Sequence, residues 1–376
     1  MLGQRSKRSS RADQIEERKD EHIRVCLEED VKAKKTTPGF EDISLIHRAL
    51  PEISRDEIDL STKAFNHSFS APIVIEGITG GTEKAFRINA AIAQAVEELG
   101  LGMGVGSQRA ALENSRLERT YSVTRKEAPT AFLMANIGGP QIIKEYDLKK
   151  VRKAIEMIDA DALVIHLNPL QEAVQPEGET DYAGILEKLR EIAGALDIPV
   201  IVKETGAGIS AEEALKLKEA GVSGIDVAGA GGTSWAAVEY YRAKKRGDHR
   251  AEEVGMDLWD WGVPTVVSLV EVLQTVDLPV ITSGGVRSGS DIAKALALGS
   301  DLAGFASPVL GPALKGSDEV KEKLRIVMHL LRTVMFLVGA GSTEELKESP
   351  LVITGKTADW LRARGFDLET YATRRR

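Results

Sequence analysis

The sequence predicts an α/β protein with a (β/α)8 TIM barrel, and three observations favour this fold class. Short runs of apolar and β-branched residues recur from position 70 onward, and we count eight of them in the 376 residues. Stretches with the 3.6-residue period of an amphipathic helix lie between the runs. Each run ends in a glycine-rich or polar turn. Strands that alternate with helices form parallel βαβ units, and eight such units close into a barrel.

The eight runs are expected to be buried strands, because strands covered on both faces have continuous apolar sequences. They span residues 72–76, 101–105, 130–135, 162–167, 199–202, 224–227, 279–282 and 301–306. Helices are expected between them, and residues 317–339 are predicted as the last barrel helix, with Ile326, Leu330, Val334 and Leu337 on one stripe. An open, doubly wound sheet is the main alternative, but its first turn carries a G-x-G-x-x-G fingerprint. The first turn here is Thr79-Gly80-Gly81, which favours the barrel.

Three segments are predicted along the chain. Residues 1–69 form an N-terminal charged arm and a barrel-closing segment, residues 70–340 the barrel, and residues 341–376 a C-terminal tail. An insertion of about residues 235–262 follows the sixth run, so it is expected on the catalytic face as a lid or an oligomer contact. In the arm, Arg18 and His22 share a helical face at i, i+4, where a basic cluster can close over an anionic ligand.

Composition argues against several classes of function. The chain has 49 Lys+Arg and 57 Asp+Glu, and the resulting net charge of −8 disfavours non-specific binding to nucleic acid. No stretch approaches the roughly 18 unbroken apolar residues of a membrane span. Cys26 is the single cysteine, so an intrachain disulfide cannot form and a reducing, cytoplasmic location is expected.

The turns after runs seven and eight predict a phosphate site. Run seven is followed by Ser283, Gly284, Gly285, Val286 and Arg287, and run eight ends at Ala306 and Ser307. Glycine turns let backbone amides approach a phosphate closely, and in barrels the loops after strands seven and eight frequently form this site. The alternative is that the two glycines only terminate a strand.

Lys203 lies at the end of the fifth run, where an unpaired ammonium would be costly to bury. A carboxylate or an anionic ligand is therefore expected beside it. Three roles remain open: a Schiff-base lysine, a positive charge that faces an electron-rich cofactor ring, and a structural salt bridge with Glu204 as a candidate partner.

Four polar residues gather at the end of run four, namely His166, Asn168, Gln171 and Glu172. His166 and Asn168 are two apart on a strand, so both point into the barrel. Their grouping favours a functional role over that of a buried core histidine. Glu172 alone can hold Mg²⁺ with waters and phosphate oxygens, whereas no His/Cys spacing suits zinc.

Several motifs together carry a resemblance to a known family. They are Arg18-Lys19, the ITGG turn from Ile78, the GSQR run from Gly106, Asn136, the HLNPLQE run from His166, Lys203, the GGTSW run from Gly231 and the SGGVRSG run from Ser283. This set resembles the type 2 isopentenyl diphosphate isomerases, which are FMN-dependent barrel enzymes of isoprenoid biosynthesis. HLNPLQE and GSQR are the specific motifs, whereas SGGxR occurs in many FMN barrels.

The resemblance implies that FMN lies over the mouth of the barrel. Its phosphate would contact Thr233, Gly285, Val286, Arg287, Ala306 and Ser307, and its ring would be edged by Thr79, Gly80, Gly81, Ser107 and Asn136. Lys203 would face the N1/O2 side of the ring. Reduced FMN would be the active form, with NADPH or another reductant supplying the electrons.

The resemblance also implies an isomerase that interconverts isopentenyl and dimethylallyl diphosphate with reduced FMN and Mg²⁺, without net redox change. The implied substrate-binding residues are Arg18, Lys19, Ser107, Arg109, His166, Asn168 and Gln171, and Glu172 would bind Mg²⁺. Gln171, Lys203 and Glu239 are expected to be catalytic, with Glu239 as a second proton relay. A homo-oligomer, tetramer or octamer, is expected, with no nucleic-acid or membrane partner.

Two other functions are weighed against this one. An FMN-dependent 2-hydroxy-acid oxidase shares the barrel and the SGG turn, but it needs a His base near a carboxylate-binding Arg, and the GGTSW turn has no His. A non-catalytic, phosphate-binding barrel used for assembly would explain only the glycine turns. It would leave Lys203, His166 and Gln171 without a role.

Overall fold

The computed structural model describes residues 11–374 and is built around a closed barrel of eight parallel strands. The first ten residues of the predicted arm and the last two of the predicted tail lie outside the described residues. Within residues 11–374, no helix is both long and apolar enough to cross a bilayer.

The barrel strands follow one another in chain order. The strands of the protein are β1 (Ile43–Leu45), β2 (Thr62–Ala64), β3 (His67–Phe69), β4 (Ile73–Ile75), β5 (Gly102–Gly104), β6 (Phe132–Gly138), β7 (Ala162–His166), β8 (Val200–Lys203), β9 (Gly224–Asp226), β10 (Val280–Thr282), β11 (Leu302–Phe305) and β12 (Leu351–Ile353). Strands β4 to β11 form the barrel, which closes where Ala303 of β11 pairs with Ile73 of β4. Each predicted run overlaps one of these strands, although β6 and β8 extend beyond the C-terminal ends of the runs at 130–135 and 199–202. The predicted (β/α)8 fold is confirmed.

Helices separate the barrel strands and cover their outer faces. They are α1 (Arg11–Glu28), α2 (Glu83–Leu99), α3 (Arg109–Glu113), α4 (Arg119–Glu127), α5 (Gly139–Lys144), α6 (Leu148–Ile158), α7 (Pro169–Val174), α8 (Ile185–Ala195), α9 (Ala211–Glu219), α10 (Trp235–Arg246), α11 (His249–Asp257), α12 (Thr265–Thr275), α13 (Gly289–Leu298), α14 (Ser307–Lys315), α15 (Ser317–Val338), α16 (Thr343–Lys347), α17 (Gly355–Ala363) and α18 (Glu369–Thr373). Three short 3₁₀ turns lie at Phe40–Asp42, Arg55–Glu57 and Ser115–Leu117.

Alternate strand residues point into the barrel, and the β2–β3 hairpin closes its N-terminal end. Val74, Met134, Val164 and Ile201 belong to the interior cluster. Two aromatic pairs extend this cluster onto the hairpin: the ring of Phe132, at the start of β6, lies 5.3 Å from that of Phe69 and 6.1 Å from that of Phe65. With this end filled, the C-terminal ends of the strands are the open side of the barrel.

Helix α15 confirms the predicted last barrel helix, but its apolar stripe faces outward. Ile326, Leu330 and Leu337 are 55%, 36% and 42% exposed, and Val334 is partly buried. The buried face of α15 carries other residues, among them Leu324 and Leu331. Apolar residues therefore occur on two faces of this helix, and its sequence alone did not distinguish the face that packs on the barrel.

The N-terminal segment and the insertion pack against each other over the open end of the barrel. Lys32 forms an isolated antiparallel β-bridge with Thr233, and the amide of Ala33 donates to the Gly232 oxygen (2.9 Å). The carboxylate of Asp260 accepts hydrogen bonds from the backbone amides of residues 34, 35 and 36. The insertion forms α10 and α11 between β9 and α12, so the position expected from the sequence is observed.

The C-terminal segment is tied to the N-terminal one. Strand β12 pairs antiparallel with β1, with Ile353 opposite Ile43. Leu351 and Leu361 are fully buried in the main core. The division of the chain at residues 69 and 340 stays a prediction.

Candidate active site

The C-terminal ends of the barrel strands surround a cavity of about 350 Å³, a volume suited to a small-molecule ligand. Most of the residues that the sequence predicts for the site line it. They are Arg18, Lys19, Thr79, Ser107, Arg109, Asn136, His166, Asn168, Gln171, Glu172, Lys203, Thr233, Gly285, Val286, Arg287, Ala306 and Ser307. The strand ends, the N-terminal helix and the loop after β9 thus bring together residues far apart in the chain.

Gly80 and Gly81 do not line the cavity. A Cβ on Gly80 would lie 2.0 Å from the ring of Tyr121, and the amide of Gly81 donates to Thr120 Oγ1 (2.8 Å). These glycines let the chain pass close to α4, so their place in the structure is explained by packing.

Glu239 lies behind the cavity wall rather than in it. Its side chain is fully buried; Oε1 is 2.9 Å from His22 Nε2, and Oε2 is paired with Arg242. His22, which does line the cavity, separates it from any ligand. Glu239 was expected to be catalytic, but its side chain does not reach the cavity, because α10 directs it toward His22 of α1.

Two carboxylates that the sequence analysis missed hold Lys203. Its ammonium is 3.1 Å from Asp226 Oδ2 and 3.3 Å from Glu76 Oε2, and it donates to the main-chain oxygen of Glu204 (2.9 Å). Burial opposes the charge, but Asp226 and Glu76 raise the pKa of Lys203 above its ordinary value. The sequence could have indicated both carboxylates, because Glu76 and Asp226 lie at the C-terminal ends of buried strands, as Lys203 does.

The carboxylate of Glu204 does not pair with Lys203. Its Oε2 accepts hydrogen bonds from the backbone amides of residues 205, 206 and 207. The candidate salt bridge between Lys203 and Glu204 is thus absent from the described residues, because Glu204 is turned toward its own following turn.

The turn after β10 has the shape needed for close approach of an anion. Gly284 and Gly285 have φ angles of 95° and 70°, in the left-handed region that favours glycine, and a Cβ on Gly285 would lie 2.3 Å from Pro38 Cγ. The amides of Gly285 and Val286 donate to no acceptor within residues 11–374. The amide of Arg287 is different, because it donates to Asp291 Oδ2 (3.0 Å) at the start of α13.

Helix α14 begins at Ser307 and presents its N-terminus to the same cavity. The first amides of a helix lack intrahelical partners and carry partial positive charge, which favours a bound phosphate. In α14 the Ser307 amide fills this role, because Pro308 has no N–H and the Val309 amide donates to the Ala306 oxygen (3.1 Å). The glycine turn and this helix end together form a built anion site. Arg287 can contribute its side chain to that site but not its amide.

A second positive region lies where α1 meets the turn after β5 and helix α4. The ammonium of Lys19 donates to the main-chain oxygen of Ser107 (2.5 Å) and to Tyr121 Oη (2.8 Å). Burial, together with the nearby Arg18 and Arg109, lowers the pKa of Lys19 to about 7. Three cations gathered at one end of a cavity favour an anionic ligand there.

Arg109 is also bound to acidic side chains. Its guanidinium is 2.5 Å from Glu179 Oε1 and 3.2 Å from Glu113 Oε1. These carboxylates orient the guanidinium and offset part of its charge. Arg109 therefore reaches the cavity as a positioned donor rather than as a free cation.

The orientation of His166 is fixed by Asn136. Asn136 Nδ2 donates to the Val105 oxygen (2.9 Å), which leaves its Oδ1 to face His166 Nδ1 at 2.7 Å. Nδ1 therefore carries the ring proton. Burial, Lys203 and Lys19 lower the pKa of His166 to about 3, so the ring is neutral at pH 7.

The side chains of the HLNPLQE run are bonded to each other. Asn168 Nδ2 donates to Gln171 Oε1 (3.1 Å) and Glu172 Oε1 (2.9 Å), and the amide of Glu179 donates to Glu172 Oε2 (2.7 Å). The part of the chain that the structure describes has no group of three or more His, Cys, Asp or Glu able to hold a metal. A metal ion here would thus have Glu172 as its carboxylate ligand and take the others from water or substrate.

Comparison with known proteins decides the family. Residues 171–353 match a family model described as FMN-dependent dehydrogenase. The isopentenyl-diphosphate delta-isomerase of Methanosarcina barkeri is 50% identical over 355 residues, which cover 94% of this chain and 96% of that protein. The protein of the same name from Pyrococcus furiosus is 50% identical and covers 95% and 91%. The chain belongs to the isopentenyl-diphosphate delta-isomerase family. The resemblance stated from the motifs is confirmed.

Solved structures give independent support for the barrel. The isomerase-family chain superposes on a lactate oxidase of Pediococcus acidilactici with a TM-score of 0.63 and 19% identity, covering 92% of this chain and 94% of that one. A mutant of flavocytochrome b2 gives a TM-score of 0.64 at 17% identity, covering 92% and 88%. At these identities the likeness shows the fold alone.

Proposed function

We propose that this isomerase-family protein interconverts isopentenyl and dimethylallyl diphosphate with reduced FMN and Mg²⁺, without net redox change. The presence of two anion-binding regions in one cavity carries the proposal. One is the glycine turn after β10 with the start of α14, and the other is the Lys19 region with His166 at the end of β7, four strands from β11 in the barrel order. A flavin phosphate and a substrate diphosphate each require such a region.

FMN suits the first region. A Cβ on Gly285 would collide with Pro38, so the close packing of this turn requires glycine. The amides of Gly285 and Val286, which have no acceptor within residues 11–374, would hold the phosphate together with Thr233, Ser307 and the Arg287 side chain. The side chains that would edge the ring are Thr79, Ser107, Asn136 and Lys203. When bound, reduced FMN supplies an electron-rich ring that stabilises positive charge developing on the alkene.

The substrate diphosphate is assigned to Arg18, Lys19, Arg109 and His166, and Mg²⁺ to Glu172. Because Nδ1 of His166 is bonded to Asn136, the ring would contact the diphosphate through Nε2, and it donates there only after binding a second proton together with the anion. Burial and the neighbouring arginines lower the pKa of Lys19 to about 7. Lys19 is therefore fully protonated at neutral pH only when an anion is bound beside it. Oε2 of Glu172 accepts hydrogen bonds from the Glu179 amide and Gln175, whereas Oε1 accepts from Asn168 and keeps a second lone pair for a metal ion. One carboxylate with phosphate oxygens and waters is a usual magnesium environment.

The double-bond shift requires that one carbon gain a proton and another lose one. Gln171 is held at its Oε1 by Asn168, which leaves the Gln171 amide group to face the cavity. A proton exchanged with Glu239 must pass through His22 Nε2, 2.9 Å from Glu239 Oε1. His22 is therefore the contact point of any second relay.

Three further properties are part of the proposal. NADPH or another reductant reduces the flavin, the protein works in the cytoplasm, and copies of the chain associate as a tetramer or octamer. The single cysteine supports the location. The outward apolar stripe of α15 supports association.

The test is anaerobic incubation of the protein with isopentenyl diphosphate, FMN, Mg²⁺ and NADPH in deuterated water, followed by product analysis. Dimethylallyl diphosphate should form with many turnovers per NADPH oxidised, carry solvent deuterium, and stop forming when a chelator removes Mg²⁺. In a separate anaerobic mixture without NADPH, L-lactate should leave the oxidised flavin spectrum unchanged. One NADPH consumed per product, or full activity with oxidised flavin, would contradict the proposal.

A further inference from the structure

The cluster around Lys203 contains one negative charge more than it can balance. Lys203, Glu76 and Asp226 are only 8%, 8% and 2% exposed. If all three were ionised, one ammonium would face two carboxylates at 3.1 and 3.3 Å. An unbalanced charge in a buried place is expensive, and such a group binds a proton instead. The cluster is therefore expected to hold one additional proton.

Hydrogen bonds decide which carboxylate holds that proton. Asp226 Oδ1 accepts from Ser283 Oγ (2.6 Å) and from the amide of Ala228 (3.2 Å), while its Oδ2 faces Lys203. Donors of this kind favour the ionised form of a carboxyl group. Glu76 has Lys203 at Oε2, but its Oε1 is buried with no hydrogen-bond partner within residues 11–374. The proton therefore belongs on Glu76, the carboxylate whose Oε1 receives no donor.

The surroundings of Glu76 place this oxygen at the floor of the cavity. Glu76 directly follows β4 and lines the cavity, and a Cβ on Gly304 of β11 would lie 2.4 Å from its Oε1. The charged groups that act on it are Lys203 of β8 and Asp226 of β9, whereas β11 presents the backbone of Gly304. Burial and Asp226 raise the pKa of Glu76 to about 8, against the pull of Lys203.

We propose that Glu76 is a positioning residue that holds the exchangeable proton of this cluster and takes up a proton when the bound flavin is reduced in mildly alkaline solution. The inference rests on the proposed function, since it requires FMN beside Lys203. Two electrons and one proton convert FMN to its anionic reduced form, and the reductant is oxidised. The new negative charge makes ionised Glu76 unfavourable, so its carboxylate binds a second proton from solvent.

The first test is the midpoint potential of FMN-loaded protein between pH 6 and 10, for the wild type and Glu76→Gln. In a two-electron couple each proton taken up contributes about 30 mV per tenfold change in proton concentration. The wild type should take up one proton below about pH 8 and two above it, whereas Glu76→Gln should take up one throughout. Equal proton counts in the two proteins across this range would overturn the proposal.

A second variant keeps the test decisive if Glu76→Gln folds poorly. Asp226→Asn removes one negative charge, so Glu76 should ionise more readily beside Lys203. The change from one proton to two should then begin at least one pH unit lower than in the wild type. An unchanged onset would show that Glu76 is not the group that titrates.

A readout that needs no flavin separates this inference from the proposed function. The raised pKa makes folded protein bind more protons than unfolded chain between the ordinary value of 4.5 and about 8, so this group's contribution to stability is lost as pH rises through that range. The melting temperature of Glu76→Gln minus that of wild type should therefore increase from pH 5 to pH 8.5.

Glu219→Gln, at an exposed position on α9, is the control and should show no such increase. Protein that binds no FMN but shows the increase would overturn the proposed function while supporting the proton on Glu76. FMN-loaded protein that shows neither the increase nor the second proton would overturn the Glu76 inference alone.

Discussion

Lys19 is the residue whose charge depends most directly on an anion in the cavity. Burial, Arg18 and Arg109 lower the pKa of its ammonium to about 7. The described partners of that ammonium are neutral oxygens, on Ser107 and Tyr121. A bound diphosphate supplies the opposing charge and raises the pKa of Lys19, so the side chain becomes fully protonated when the ligand binds.

This pKa leads to an expected proton uptake on binding. Between pH 7.5 and 8.5, isopentenyl diphosphate should bind with uptake of a fraction of a proton by Lys19. Lys19→Arg should lose that part of the uptake, because a guanidinium is already charged. Calorimetric titration in buffers of different ionisation enthalpy measures the uptake directly. Equal uptake by the two proteins would show that Lys19 is charged before binding.

Individual site residues were predictable where a strand ends in a polar turn. Lys203 and His166 were found in this way, and both line the cavity. Glu76 and Asp226 carry the same signal, but their role depends on distances to Lys203 that only the closed barrel defines. Glu239 shows the converse limit, since its position on α10 did not reveal that the helix turns it toward His22.

At the scale of elements, a buried ion network joins α1 to α10. Arg242 is 2% exposed and contacts Glu239, which is fully buried. Its Nε lies 3.2 Å from Glu21 of α1, and its terminal nitrogen lies 2.6 Å from Glu177 in the loop after α7. One guanidinium thus joins three segments that cover the cavity.

Removal of this guanidinium should release α1. Arg242→Met leaves Glu239 buried without its cation, and breaking a buried pair in this way costs about 3–5 kcal/mol. Amide exchange in residues 15–28 should accelerate and the denaturation midpoint should fall. Lys245→Met, at an exposed position on the same helix, is the matched control and should change neither. If both variants behaved alike, the network would not be what holds α1.

The elements of the fold were predictable to different degrees. The barrel strands were identified because burial on both faces leaves a continuous apolar run, as in β8 and β11. The packing face of α15 was not, because the exposed Leu330 and the buried Leu331 are adjacent apolar residues. Helix periodicity identifies a stripe, but only the neighbouring α13 and α2 determine which side of α15 is covered.

At the scale of the whole molecule, the two ends of the barrel have different tasks. The N-terminal end is filled by Phe65, Phe69 and Phe132 and contributes to stability. The open end combines strand termini, α1 and the insertion into one cavity. The outer wall is covered by helices, and α15 exposes apolar side chains there that the described part of the chain does not bury.

That outer face bears on the proposed association of copies. Ile326, Leu330 and Leu337 lie on one side of α15, and Leu50 is 83% exposed in the loop whose Arg48 amide donates to the Leu337 oxygen. A group of exposed apolar side chains on one helix face is typical of contacts between proteins. Leu330→Glu places a charge in its centre, so the variant should sediment with a smaller mass than the wild type at the same micromolar concentration. Leu215→Glu alters an exposed leucine on α9 and should leave the mass unchanged. A wild type that sediments as a single chain, or a Leu330→Glu variant with the wild-type mass, would contradict this interface.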